Sequence, residues 1–195
     1  MARARTEESK MIDPQYVERL RALHAQLSIP VTYAAETGLP MYPEPAELVA
    51  TELDFYGREQ RLTPQAFAAW RSMQESALSD GISLLLLSAY RSVDYQCQIL
   101  RRKIEAGQSL EQILRVNAAP GFSEHHTGRA IDIGAPECPV LEERFEETTA
   151  FAWLLSNGAN FRFTLTYPRD NSCGITYEPW HWCFNPSSSL QAPQQ

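Results

Sequence analysis

SEHHTGRAID, Ser123 to Asp132, and the later stretch YEPWH, Tyr177 to His181, decide how this chain is read. Together they supply two imidazoles, one ligand carboxylate and one carboxylate to spare. Hydrolytic zinc is usually held by three protein ligands, with water in the fourth position and a nearby carboxylate to take its proton. His125, Asp132 and His181 fit the ligand roles, and Glu178 fits the base. His126 could replace His125 on spacing alone. His24, inside an early helical pattern, is expected to be exposed and uninvolved. A lone histidine, or a lone aspartate in AIDIG, is more often structural than ligating. It is the pairing of the two segments that points to a metal.

Both segments need a backbone irregularity to work. In a straight strand, His125 and Asp132 would project from opposite faces, because side chains alternate. Thr127-Gly128 resolves this: glycine permits a bend, so His125 projects from a loop and Asp132 from a strand over 130–133. Glu178 and His181 pose the same problem. Pro179 between them disfavours a regular ladder, so a kink or bulge is expected to bring both over one pocket.

Outside these segments, Tyr16, Val17, Leu20, Leu23 and Leu27 recur at helical spacing behind an N-cap at Asp13. A Pro-rich stretch from Ile29 to Pro45 reads as an ordered loop wrapping the domain. Thr63-Pro64 opens a helix that runs to Ser79, with Ala66, Phe67, Trp70, Met73 and Ala77 on one face. Ile82 to Ala89 reads as a core strand, Ser92 to Gly107 as a helix, Ser109 to Arg115 as a short helix and Glu142 to Ser156 as another. Phe161 to Tyr167 and Ile175 to Phe184 alternate as the strands of a hairpin joined by a loop at Pro168 to Gly174. The expected organisation is an N-terminal helix and wrap over 1–61, a core over 62–186 and a disordered tail over 187–195. The fold class is α+β: helices packed on a small, mostly antiparallel sheet that carries the metal site.

The 195 residues, 44% of them hydrophobic, suffice for one domain with a real core. A net charge of -7 argues against a nucleic-acid partner, which would require clustered Lys and Arg. The basic run Arg101-Arg102-Lys103 lies in a helical pattern and reads as a solvated face. No apolar stretch reaches the roughly 20 residues of a membrane helix, and no apolar h-region follows the positively charged start. Cys97, Cys138, Cys173 and Cys183 are too few and too scattered for a disulfide framework. A cytoplasmic monomer is the expectation.

SEHHTGRAID matches the pattern S-x-H-x-x-G-x-A-x-D, and EPWH matches E-x-W-H. SAYRS (Ser88–Ser92) with Tyr95-Gln96 and the stretch from Trp153 to Pro168 add further matches. Over about Leu62 to Phe184 the chain thus resembles the VanY-like D-alanyl-D-alanine carboxypeptidases. They are zinc peptidases of a superfamily that includes lysostaphin-type endopeptidases and the zinc domain of hedgehog proteins. One departure is Trp182-Cys183, where many relatives carry an aromatic followed by Arg.

The resemblance implies one zinc ion per chain, held by His125, Asp132 and His181, with Glu178 as general base. Arg91 would stabilise the oxyanion or anchor substrate, and Ser123, Gln96 and Ser88 would donate hydrogen bonds to the terminal carboxylate. Tyr90 and Trp180 could wall the pocket. The implied activity is removal of terminal D-alanine from peptidoglycan stem peptides, leaning to L,D-cleavage of the tetrapeptide in recycling over D,D-cleavage of the pentapeptide. Competing readings are a phage-type endopeptidase that cuts within the stem, a silent zinc-binding recognition module, and a cysteine hydrolase using Cys183. The spare carboxylate Glu178 argues against the silent module.

Overall fold

The computed structural model describes residues 12–187, so nearly all of the tail expected over 187–195 lies outside the described residues. Helix α1 (Pro14–Gln26) starts where the Asp13 carboxylate accepts from the Gln15 N–H at 2.9 Å. α2 (Tyr33–Thr37) is one short helix within the Pro-rich stretch, closed by Gly38 in the left-handed region. Strands β1 (Val49–Ala50) and β2 (Arg61–Leu62) pair antiparallel in a small sheet that hydrophobic periodicity did not signal, each strand being too short to show a period. α3 (Pro64–Ser79) begins as expected, with the Thr63 hydroxyl accepting from the Ala66 N–H and proline at the first turn.

The main sheet is built from β3 (Leu85–Ser88), β4 (Ala130–Gly134), β5 (Phe163–Leu165) and β6 (His181–Phe184). Its order is β3-β4-β6-β5 and every pairing is antiparallel. Between β3 and β4 come α4 (Val93–Glu105), α5 (Leu110–Val116) and a 3₁₀ turn over Glu124–Thr127. A further 3₁₀ turn over Glu143–Glu147 and α6 (Thr149–Asn157) precede β5.

Four elements are shorter than periodicity suggests, one of them the strand expected over 161–167, which pairs only at Phe163–Leu165 because a 3₁₀ turn runs through Phe161. The strand over 82–89 pairs only at Leu85–Ser88. The helix over 142–156 is divided by Thr148, whose extended backbone breaks the turn while its hydroxyl donates to Phe145 O at 2.7 Å and accepts from the Phe151 N–H at 3.1 Å. The strand expected over 175–184 begins only at His181. Residues before it are tied elsewhere: Thr176 bonds Arg115 O through its N–H and hydroxyl, and the Glu178 N–H donates to Tyr167 O.

One core lies between the main sheet and helices α3 and α6. Trp70, Met73, Ile131, Ile133, Phe145, Leu154, Phe163, Trp182 and Phe184 are buried there. At about 1.5–3 kcal/mol per large apolar side chain, this cluster dominates the stabilisation. A second cluster joins Leu27, Ile29, Tyr33 and Leu39 to Leu100, Ile113, Phe122 and Tyr167. The Pro-rich stretch is thereby packed over α4 and α5, and Glu44 reinforces it by accepting from the Val93 N–H (3.0 Å) and the Tyr90 hydroxyl (2.8 Å). No helix among the described residues is long and apolar enough to cross a membrane.

This layering creates the site. On β4, Ile131 and Ile133 point into the first core, so Asp132 between them points to the other face.

Candidate metal centre and hydrolytic site

Asp132 and His181 are directly opposed in the β4–β6 register, which puts both side chains on one face. The 3₁₀ turn brings in His125, and Gly128 ends that turn at φ +62°, a left-handed conformation suited to glycine. His125 Nε2 lies 3.3 Å from Asp132 Oδ2, and His181 Nδ1 lies 3.2 Å from Asp132 Oδ1. One ligand atom from each of the three residues falls within 4.8 Å of the others. Tetrahedral ligands at zinc-like bond lengths sit ~3.3 Å apart. The donor set, two nitrogens and one oxygen, and its spacing therefore fit a small tetrahedral cation.

The outer hydrogen bonds of the two histidines differ, and that difference sets which nitrogen faces the site. His125 Nδ1 donates to Ala89 O at 2.6 Å, leaving Nε2 as the free donor atom. His181 Nε2 donates to Glu124 Oε2 at 3.0 Å, leaving Nδ1. Glu124 is buried and is steadied by the Tyr42 hydroxyl at 3.3 Å. Burial alone would lower His181, but hydrogen bonds to Asp132 and Glu124 outweigh it and push the imidazole up to about 10. Burial pushes His125 down, against the pull of Asp132. Asp132 itself, which burial would raise, is held well below the carboxylate range by the two histidines. His181 Nδ1 would hold a metal ion in place of the proton that its acidic neighbours favour.

Sequence reasoning missed Glu124. The available signal was an acid beside a ligand histidine, since ligating imidazoles almost always need an outer acceptor.

A cavity of about 370 Å³ opens over these groups. It is lined by Arg91, Ser123, His125, Asp132, Glu178 and His181, with Tyr167 and Trp180 among its walls. Glu178 does not sit on a bulged strand, as expected, but in the loop before β6, where its carbonyl accepts the His181 N–H at 3.1 Å. Pro179 thus precedes the ladder instead of interrupting it. Glu178 Oε2 stands 3.9 Å from His181 Nδ1. Burial pushes its carboxyl up to about 7, with His181 and Arg91 opposing and Asp132 and Glu124 reinforcing.

Two expected substrate contacts are corrected. Gln96 is fully buried and spends both ends of its amide within the protein, donating to Ala118 O at 2.7 Å and accepting from Arg91 Nη1 at 2.9 Å. It orients the guanidinium and does not line the cavity. Ser88 and Tyr90 line a separate depression with Arg58 and Arg61, with Arg91 the residue shared between the two. Ser123, in contrast, is brought to the metal cavity.

His126 is no ligand either. Its Nδ1 donates to Arg91 O at 2.6 Å and its Nε2 accepts from the Gly121 N–H at 3.0 Å. His24 is half-buried, contrary to expectation, with Nε2 2.7 Å from Pro120 O. Cys183 lies opposite Ala130, buried and off the cavity lining. Burial and the nearby Glu124 carboxylate push its thiol well up, which removes the cysteine-hydrolase reading.

The family model VanY, D-alanyl-D-alanine carboxypeptidase, matches residues 59–187. The chain belongs to the VanY family. Among curated relatives, YodJ of Bacillus subtilis (strain 168), whose carboxypeptidase assignment is provisional, is 30% identical over 87% of this chain. The chain spans 64% of YodJ's length, under two thirds of that relative. Among solved structures, the LD-carboxypeptidase LdcB aligns at 29% identity with a TM-score of 0.66, covering 74% of this chain and 71% of its own. A variant of the vancomycin-resistance D,D-pentapeptidase VanY, from a VanB-type cassette and in complex with Zn(II), aligns at 27% identity with a TM-score of 0.56, covering 73% of this chain and 82% of its own. In this VanY-family chain the matched segment contains every residue lining the metal cavity, while Tyr42, which steadies Glu124, lies before it.

Proposed function

We propose that this chain is a zinc-dependent carboxypeptidase that removes the terminal D-alanine from peptidoglycan stem peptides, cleaving the L,D bond of the tetrapeptide. The observation that carries the reading is one cavity joining His125, Asp132 and His181 to a spare carboxylate, Glu178, and a cation, Arg91. Bound zinc would polarise water and the scissile carbonyl, making hydroxide available near neutral pH. Glu178 accepts the proton of the attacking water and returns it to the departing amine; a carboxyl raised toward neutrality suits both transfers.

Arg91, steadied by Gln96, supplies the preorganised positive charge for the developing oxyanion. Ser123, which lines the same cavity, would donate to the terminal carboxylate of the substrate. The alignment with LdcB makes L,D-cleavage one specificity available to this fold, and the muropeptide assay below decides between it and D,D-cleavage. The cytosolic location expected from the sequence belongs to the same proposal, and fractionation of cells producing the protein tests it.

The deciding experiment is mass spectrometry after incubation of the zinc-loaded protein with tetrapeptide and pentapeptide muropeptides. Loss of alanine from the tetrapeptide alone is expected. Loss from the pentapeptide alone would transfer the assignment to D,D-cleavage, and cleavage within the stem would make it an endopeptidase. No hydrolysis of either would overturn the enzymatic reading.

A further inference from the structure

The basic run Arg101-Arg102-Lys103 reads in sequence as a solvated helix face, and two of its members behave that way. Arg101 is exposed and bonds Gln26 at 2.7 Å, and Arg102 is exposed and lies over the Tyr95 ring. Lys103 departs from them. It turns from the last turn of α4 into the wall of the metal cavity, where it is half-buried beside Val116, Asn117 and Ala118. Burial pushes its ammonium down, Arg91 adds to that, and Glu178 opposes. Among the described residues no carboxylate lies within 4.0 Å of its ammonium. The exposed Arg102 already serves the negative end of the helix in its last turn, so the dipole gives no reason to turn a second cation inward. A partly desolvated ammonium without a counter-ion is unfavourable, and an arriving anion relieves that cost.

The same cavity carries Glu143, whose carboxylate reaches Arg169 at 3.4 Å and is otherwise open. Beside the metal ligands, Glu178 and Arg91, the cavity wall therefore presents a further ammonium and a further carboxylate to a bound peptide. Two third-position side chains are relevant to a stem tetrapeptide. Lysine ends in an ammonium alone, which Lys103 repels. Diaminopimelate ends in an ammonium and a carboxylate on one carbon, which Glu143 and Lys103 complement.

Building on the carboxypeptidase reading above, we propose that Lys103 binds the side-chain carboxylate of a third-position diaminopimelate, making the enzyme selective for stem peptides with that residue over those with lysine.

The test uses two synthetic tetrapeptides that differ only at the third residue, with zinc-loaded wild type, Lys103→Gln and Lys103→Arg. Wild type should favour the diaminopimelate peptide in kcat/KM by about tenfold or more, carried by KM, as expected for a charge-assisted contact. Lys103→Gln should bring that ratio close to one, and Lys103→Arg should keep most of it. A merely structural role would depress both peptides alike and leave the ratio unchanged. Equal wild-type values, or an equal rise in KM for both peptides in Lys103→Gln, would overturn the proposal, the latter by putting Lys103 on the terminal carboxylate. Calorimetric binding of both peptides to the Glu178→Gln variant reads the preference without turnover. Preferential binding with no cleavage by wild type would sink the carboxypeptidase reading while upholding this one; cleavage with equal affinities would do the reverse.

Discussion

Glu178 and His181 are three positions apart, yet their chemistry separates cleanly. His181 supplies a ligand nitrogen to a cluster completed by His125 and Asp132, while Glu178 stands beside the cluster with its carboxyl raised by burial. Glu178→Gln should therefore keep one zinc per chain by atomic spectroscopy and lose about 10²–10⁴-fold in turnover, the usual range for a general base. His181→Ala should lose the metal itself. Full activity in Glu178→Gln would show the base to be misassigned. Glu124 acts one bond further out. Because it holds the Nε2 proton of His181, Glu124→Gln is expected to weaken zinc binding by about 10–100-fold in a competitive chelator titration, with the folded far-ultraviolet dichroism unchanged. That His125, Asp132, His181 and Glu178 gather at one cavity was legible from residue types at given places in the sequence. Glu124, and the opposite tautomers of the two histidines, were not, because they depend on which backbone or side-chain acceptor lies behind each ring.

At the scale of elements, the site depends on a short 3₁₀ turn leading into a strand. Gly128 joins them at φ +62°, and a Cβ added there would lie 2.6 Å from a methyl carbon of Leu48. Gly128→Ala should destabilise the fold by about 1–3 kcal/mol in chemical denaturation, combining backbone strain with that close approach. An unchanged midpoint would mean that the turn relaxes freely. The sequence pointed to the bend here because glycine is the residue that permits it. It misplaced the strand boundary near Pro179 and the helix boundary at Thr148, where competing hydrogen bonds decide. Thr176 and Glu178 find acceptors at Arg115 and Tyr167, on elements distant in sequence, and so never enter the ladder.

For the molecule as a whole, the metal cavity is supported from behind by a relay that begins in the β1–β2 loop. Buried Asp54 accepts from the N–H groups of Tyr56 and Arg58, from the Arg58 guanidinium and from Gln60, whose carbonyl in turn accepts the N–H of Ala89. The Ala89 carbonyl holds His125. Burial would raise Asp54, but its donors in Arg58 and Gln60 outweigh that and hold it below the ordinary value of 3.8. A carboxyl lowered on folding adds stability above its unfolded value and loses it as pH falls through the folded one. Wild type should accordingly lose melting temperature steeply below about pH 4, and Asp54→Asn, already destabilised near neutrality, should show a shallower acid limb; parallel limbs would argue against this role. The sequence by itself determined the ligand types, the spare carboxylate, the helix starts and the α+β class, because these follow from side-chain chemistry, capping and local periodicity. Only the tertiary structure decided that Gln96 serves Arg91, that Ser88 lines a separate depression, that Glu124 backs His181 and that Lys103 lines the cavity. Each of those is a choice among hydrogen-bond and charge partners far apart in the chain, and only the packed sheet and helices bring such partners within reach.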